Sequence, residues 1–287
     1  MTSARAFRTV FDHGRASSVN WYPGHMATAT RKLDEAMRHV DLVLEVRDAR
    51  VPFSSTPGGK VDQTLRKAKS RLVVLNKSDL ACDATAVAVR EQLQLGVSQG
   101  GQGLSAVHLD ARAIPDIRRL LQIVQKKAAK AQQTAEFRTM PYRVAVVGVP
   151  NTGKSTLLNA LKRSATGHGG KRAKTGDTPG VTKHLSYSRV SNRPPVLVLD
   201  TPGIMPPGNL APEVGLAVAL TGGVADKLLD MDVMADFLLF QLNQDRNMAY
   251  REVYCERLGL TKPTDDIVTV LDVVAKTKGI GLKSGGG

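Results

Sequence analysis

The sequence predicts an α/β domain built on a doubly wound, mostly parallel sheet, followed by a small all-α C-terminal domain. Three observations carry that prediction. Apolar runs of strand length recur at residues 71–75, 105–109, 142–147 and 195–199. Each leads directly into a polar or glycine-bearing loop, which is where an open parallel sheet presents its ligand-binding chemistry. From residue 211 onward, apolar segments of helix length replace the strand-like runs. The organisation read from this is an extension at 1–19, a sheet domain at 20–210 and a helical domain at 211–287.

The run at 142–147 leads into Gly148-Val149-Pro150-Asn151-Thr152-Gly153-Lys154-Ser155, which fits G-x-x-x-x-G-K-[ST]. Leucines at helical spacing follow at 156–161, so the motif has the strand, loop and helix that it requires. Its glycines let backbone N–H groups turn toward phosphates, with Asn151, Thr152, Gly153 and Thr156 completing the cradle. Lys154 places a charge on the β and γ oxygens, and the Ser155 hydroxyl is offered to Mg²⁺.

A phosphate loop does not choose between ATP and GTP, but the run at 71–75 ends in Asn76-Lys77-Ser78-Asp79. The Asp79 carboxylate can accept two hydrogen bonds from the guanine ring N–H and exocyclic amine, a pattern adenine lacks. Asn76 can bond the purine edge, and the Lys77 stem can lie along the base. A site built on such bonds rejects analogues that leave them unmade.

Three further segments fall where a nucleotide needs them. The run at 195–199 leads into Asp200-Thr201-Pro202-Gly203, placing Asp200 in the Mg²⁺ shell and the Gly203 N–H at the γ-phosphate. Between the two loops, residues 177–182 end in Thr182, a candidate to sense both γ-phosphate and Mg²⁺. Asp110, Ala111 and Arg112, after the run at 105–109, are expected to brace the guanine loop from the other side.

The base-reading motif precedes the phosphate loop, the reverse of the usual GTPase order. With Trp21-Tyr22-Pro23-Gly24-His25-Met26 and Asp48-Ala49-Arg50-Val51-Pro52, this order makes the chain resemble the YlqF-type circularly permuted GTPases, the family of ribosome biogenesis GTPase A and the mitochondrial ribosome-associated GTPases. The resemblance implies a circularly permuted P-loop G domain carrying a helical RNA-binding domain. It also implies a GTP-hydrolysing assembly factor, a monomer on the particle, that binds ribosomal RNA and proteins of an immature large ribosomal subunit in the GTP state and leaves after hydrolysis. Ile204 stands where Ras-like enzymes place a water-orienting glutamine, so turnover is expected to be slow alone. The resemblance assigns that task to His25, whose other reading is a structural histidine in a Pro-Gly turn. It also assigns Asn151 to a K⁺ held against the phosphates, the alternative being a residue that only shapes the loop. Family members usually continue into a further helix, whereas this sequence ends in Ser284-Gly285-Gly286-Gly287.

Composition points the same way. The chain has 287 residues, 42% of them hydrophobic, and a formal net charge of +14, which favours a polyanionic partner. Lysines and arginines cluster at Arg118, Arg119, Lys126, Lys127 and Lys130, and again at Lys162, Arg163, Lys171, Arg172 and Lys174. Aromatic residues make up only 4%, so phosphate and shape contacts are expected rather than base stacking. No apolar run approaches membrane-spanning length. Cys82 and Cys255 stand in no metal-ligand spacing. Residues 1–19 carry Arg5, Arg8 and Arg15 with one acidic residue, the composition of a mitochondrial transit peptide and hence of a matrix protein. A short bacterial extension on a cytoplasmic protein is the alternative. Two other functions stay open: an RNA-binding placeholder whose nucleotide is mainly structural, and a P-loop ATPase or kinase, which residues 76–79 disfavour.

Overall fold

The structure is a computed structural model, and it describes residues 7–12, 14, 31, 33–82, 86–89, 91–92, 104–133, 140–166, 186–201, 211–224, 230–244 and 248–279. The chain forms two compact units, Asn20–Ala225 and Met1–Val19 together with Asp226–Gly287.

The first unit is a six-stranded sheet of β1 (Leu42–Asp48), β2 (Arg71–Asn76), β3 (Ser105–Leu109), β4 (Tyr142–Val147), β5 (Ser186–Asn192) and β6 (Pro195–Asp200), in the order β3-β2-β1-β4-β6-β5. All neighbours are parallel except the edge pair β5 and β6. Alternating side chains of the central strands serve two separate cores, as a two-sided sheet demands. Leu42, Leu44, Val46, Val144 and Val146 pack on one face with Leu120 and Val124 of α2 (Ile114–Gln132) and Leu157 and Leu161 of α3 (Lys154–Thr166). Val43, Ala145 and Val147 face the other way, against Leu33, Met37, and Val61 and Leu65 of α1 (Gly59–Leu65). At roughly 1.5–3 kcal/mol for each large side chain fully buried, this double layer is the main support of the sheet. The doubly wound, mostly parallel class read from the sequence is therefore present.

Strand β1 was not anticipated, because Glu45 and Arg47 interrupt its apolar run. Both are buried, and they compensate one another: Glu45 accepts from Arg47 Nε at 2.8 Å and from Arg71 Nε at 2.6 Å, while Arg71 NH1 reaches Asp62 at 2.8 Å. The edge strand β5 was likewise missed, its sequence Ser-Tyr-Ser-Arg-Val-Ser-Asn being too polar to signal burial.

Helix α4 (Pro212–Leu220) belongs to this first unit, so the division between units falls after Ala225 rather than at the 210/211 boundary read from the sequence. Its apolar segment packs with the sheet unit because Leu216, Val218 and Ala219 are buried there.

The second unit contains α5 (Met231–Leu242), α6 (Met248–Leu258) and α7 (Ile267–Thr277). Asp230 caps α5 by accepting from the Asp232 and Val233 N–H groups, and Asp266 caps α7 by accepting from Val268. Helix α6 was not foreseen; its sequence is nearly balanced around the helix, although Tyr254 and Cys255 are buried.

Residues 7–12, read from the sequence as part of an extension, are packed into this unit. Phe11 is 3% exposed, with ring centroids 5.2 Å from Phe237 and 5.5 Å from Phe240. Arg8 grips Asp236 with both guanidinium nitrogens, at 2.6 and 3.0 Å, and its backbone N–H donates to Asp265 at 2.7 Å. An aromatic residue and a bidentate ion pair fix this stretch in a way that charge composition alone did not foretell.

Candidate functional site

Five strands deliver functional residues to one edge of the sheet. The parallel register sets Asp48 opposite Asn76, Asn76 opposite Leu109, Glu45 opposite Val147 and Val146 opposite Asp200. The carboxyl ends of β3, β2, β1, β4 and β6 therefore line up, and the loops beginning at Asp110, Lys77, Ala49, Gly148 and Thr201 meet there.

The loop after β4 is shaped by close approaches. Asn151 has φ 57° and Gly153 φ 92°. A Cβ on Gly148 would lie 2.2 Å from the Val46 carbonyl oxygen, and one on Gly153 only 2.1 Å from Asn76 Nδ2, so both positions need glycine. Thr152 donates its hydroxyl to the Val149 carbonyl at 3.0 Å. Helix α3 begins at Lys154, so its unpaired N-terminal N–H groups open toward the loop, the arrangement that receives phosphate. Ser155 and Thr156 are half-buried on that first turn.

Lys154 is buried and donates to the Val149 carbonyl at 2.7 Å. Burial lowers its pKa to about 8, against the pull of Asp200. Asp200 is shifted the other way: burial raises its pKa, and Lys154 and Lys162 only partly oppose this. Its Oδ1 is buried without a hydrogen-bond partner among the described residues. Burial thus pushes an ammonium and a carboxylate toward neutrality, and bound phosphate and cation charges would reverse both shifts. A carboxylate oxygen with spare acceptor capacity at the end of β6 and a serine hydroxyl on the first turn of α3 are the hard oxygen donors that Mg²⁺ takes.

The residues of the Asn76-to-Asp79 loop are tied to the loop after β4. Asn76 donates through Nδ2 to the Thr152 carbonyl at 2.7 Å and accepts the Ala111 N–H on Oδ1 at 2.9 Å. The residue read as a purine contact is thus also a brace across three loops. Lys77, in the left-handed region at φ 61°, donates through Nζ to the Asn151 carbonyl at 2.7 Å and to Asp48 at 2.8 Å. Asp79 is paired with Arg112, whose NH2 stands 2.6 Å away, and Arg112 also holds Asp110. The Arg112 hydrogen bonds keep the Asp110 carboxyl below its ordinary range. Asn151 Nδ2 donates to the Gly222 carbonyl at 2.5 Å.

Of the residues read from the sequence, Asn76, Lys77, Asp79, Asp110, Ala111, Asn151, Thr152, Gly153, Lys154, Ser155, Thr156 and Asp200 are brought to this one edge. His25, Thr182 and Gly203 lie outside the described residues, as do the Trp21-to-Met26 and 177–182 segments. Arg112, read with Asp110 and Ala111 as a brace, pairs with both Asp110 and Asp79. Asp48, Arg50 and Gly222 have no role assigned by sequence; the pairing of Asp48 and Lys77 across two strands leaves no local signal.

The sequence profile of the 50S ribosome-binding GTPase family matches residues 143–273, beginning inside β4, the strand that enters the phosphate loop. Mitochondrial ribosome-associated GTPase 1 of Ictalurus punctatus is 34% identical over 276 residues, covering 96% of this chain and 83% of its own. The chain belongs to the YlqF-type circularly permuted GTPase family. Ribosome biogenesis GTPase A of Bacillus cereus is 33% identical over 268 residues, covering 93% of this chain and 84% of its own. The crystal structure of GNP-bound YlqF from T. maritima shares 25% identity over 88% of this chain and 94% of that one, with a TM-score of 0.49. Within this YlqF-type GTPase, the permutation is visible directly: β2 and β3, which lead into the Asn76-to-Asp79 and Asp110 loops, precede β4 and β6, which lead into the Gly148-to-Ser155 and Asp200 loops.

Proposed function

We propose that this chain is a GTPase that assists assembly of the large ribosomal subunit, in mitochondria, binding immature particles in its GTP state and leaving after hydrolysis. The observation that carries the reading is the Asn76 bridge, which holds the guanine-reading loop and the phosphate loop in one cradle. Asp79 selects guanine, Lys154 and the α3 N-terminus hold the phosphates, and Ser155, Asp200 and Thr182 hold Mg²⁺. When bound, Mg²⁺ would neutralise charge on the phosphate oxygens. Asn151 holds a K⁺ against the phosphates, and His25 orients the attacking water once the particle is bound.

Ribosomal RNA and proteins are the proposed partners, and α2 supplies a fitting surface. Arg118, Arg119, Lys126 and Lys130 are all exposed on that helix, where they can meet phosphates without disturbing its buried face. Mitochondrial residence is supported by the likeness to mitochondrial ribosome-associated GTPase 1 of Ictalurus punctatus. No helix among the described residues is long and apolar enough to cross a membrane.

The test is GTP turnover in KCl and in NaCl, with and without purified immature large subunits, in wild type and His25→Ala. The reading predicts particle stimulation that needs K⁺ and His25. Tight particle binding without stimulation would favour a placeholder in which nucleotide is mainly structural.

A further inference from the structure

We propose that Asp48 and Arg50 form a positioning pair that joins the guanine-reading loop, the phosphate loop and the C-terminal turn of α4; this rests on the guanine-nucleotide reading of the site. Asp48 closes β1 with its side chain only 3% exposed. Its carboxylate accepts from Arg50 three times, from the backbone N–H at 3.0 Å, Nε at 2.9 Å and NH2 at 2.7 Å, and from Lys77 Nζ at 2.8 Å. Burial alone would raise the Asp48 pKa, yet these bonds from Arg50 and Lys77 outweigh it and hold the group ionised.

The carboxylate is thus the anchor for Lys77, whose ammonium also reaches the Asn151 carbonyl in the phosphate loop. Without that anchor, Lys77 has a single fixed partner and its stem is free to leave the face of the base. Arg50 extends the link. Its NH2 also donates to the Thr221 carbonyl at 3.3 Å, one residue before the Gly222 carbonyl that takes the Asn151 amide. Two side chains from opposite halves of the nucleotide site therefore meet adjacent carbonyls at the end of α4. A helix end has free carbonyls to offer, and Gly222 adopts φ 81°, the left-handed conformation of such caps. The amides of Thr221, Gly222 and Gly223 close this cap on Val218 and Ala219.

Guanine nucleotide, by engaging Lys77 and Asn151, then biases the α4 cap, and the cap biases nucleotide affinity by the same factor. In Asp48→Asn, an amide donor faces either Lys77 or Arg50, donor against donor. Loss of a charge-assisted bond at such a site weakens binding on the order of tenfold to a hundredfold. The variant is expected to raise GDP Kd and GTP KM by that factor with kcat changed by less than about threefold, because the pair touches no reacting atom. Arg50→Ala, whose side chain is more accessible, leaves the Asp48–Lys77 bond in place. It is expected to reduce the nucleotide-dependent change in hydrogen exchange at Thr221, Gly222 and Gly223 to what the Asn151–Gly222 bond alone transmits.

The experiment is fluorescent GDP titration, steady-state GTP turnover and amide exchange with and without GDP, on the full chain in wild type, D48N and R50A. The proposal predicts raised Kd and KM in D48N and an α4 cap less responsive to nucleotide in R50A than in wild type. Equal nucleotide affinity in all three, or a cap that responds to GDP identically in wild type and R50A, would overturn the pair while leaving the guanine site standing. Failure of wild type to bind guanine nucleotide would overturn both.

Discussion

Asn76 and Thr152 are joined by a 2.7 Å hydrogen bond from the Asn76 side-chain amide to the Thr152 carbonyl, linking loops 76 residues apart in sequence. The same side chain accepts the Ala111 N–H, so its removal strands a buried donor and a buried acceptor at once. Asn76→Ala is expected to lower stability by about 1–3 kcal/mol for each stranded group and to weaken GTP and GDP binding together. Urea unfolding and nucleotide titration check this. Unchanged affinity would show that the bridge does not shape the cradle.

Lys154 makes the free site sensitive to pH. Its pKa is lowered from 10.5 to about 8, so between those values the unfolded chain binds more protons than the folded one. Stability of the nucleotide-free protein therefore rises with pH across that window, other groups being equal. Phosphate oxygens favour the ammonium, so nucleotide binding near pH 8.5 is expected to take up protons. Calorimetric titration of GDP in buffers of different ionisation enthalpy measures this directly. Identical enthalpies in all buffers would contradict it.

Phe11 and Arg8 are expected to hold the helical unit together. Phe11→Ala removes a ring packed between Phe237 and Phe240 and should destabilise that unit by about 3–5 kcal/mol. Arg8→Ala leaves Asp236 without its bidentate partner and should act in the same direction. Cleavage after residue 19 would remove both residues, so a processed chain should show the same loss of protection in α5. Unfolding of these variants, followed by hydrogen exchange, reads the effect. Equal stability with and without residues 7–12 would mean that the packed segment is dispensable.

Glu45 is fully buried between two guanidinium groups. Glu45→Ala leaves buried Arg47 without its anion and Arg71 with Asp62 alone, and should cost about 3–5 kcal/mol. Denaturant titration of the variant checks the figure. A change below about 1 kcal/mol would mean that water replaces the carboxylate at little cost.

Much of the fold was legible because a parallel sheet covered on both faces needs short continuous apolar strands, and β2, β3, β4 and β6 have them. What escaped was decided by tertiary partners. Glu45 and Arg47 look like solvent-facing residues until β2 places Arg71 against them. Residues 7–12 look like a basic tail until α5 supplies Asp236 and the two phenylalanines. In the site, glycine and lysine positions were readable from spacing because the backbone of a phosphate loop permits little else. The bracing roles of Asn76 and Asp48 depend on strand order, which a linear motif does not encode. Asp79 was read as a guanine acceptor, and its pairing with Arg112 adds a competitor that nucleotide must displace or share.

The measurement that tests the central claim most directly is the affinity of wild type and Asp79→Ala for GDP and for ADP. The account predicts that wild type prefers guanine by at least about a hundredfold, as expected of a site whose polar groups are left unpaired by the wrong ligand, and that the variant loses most of that preference. Equal affinity for the two nucleotides in wild type, or a preference untouched in the variant, would contradict it.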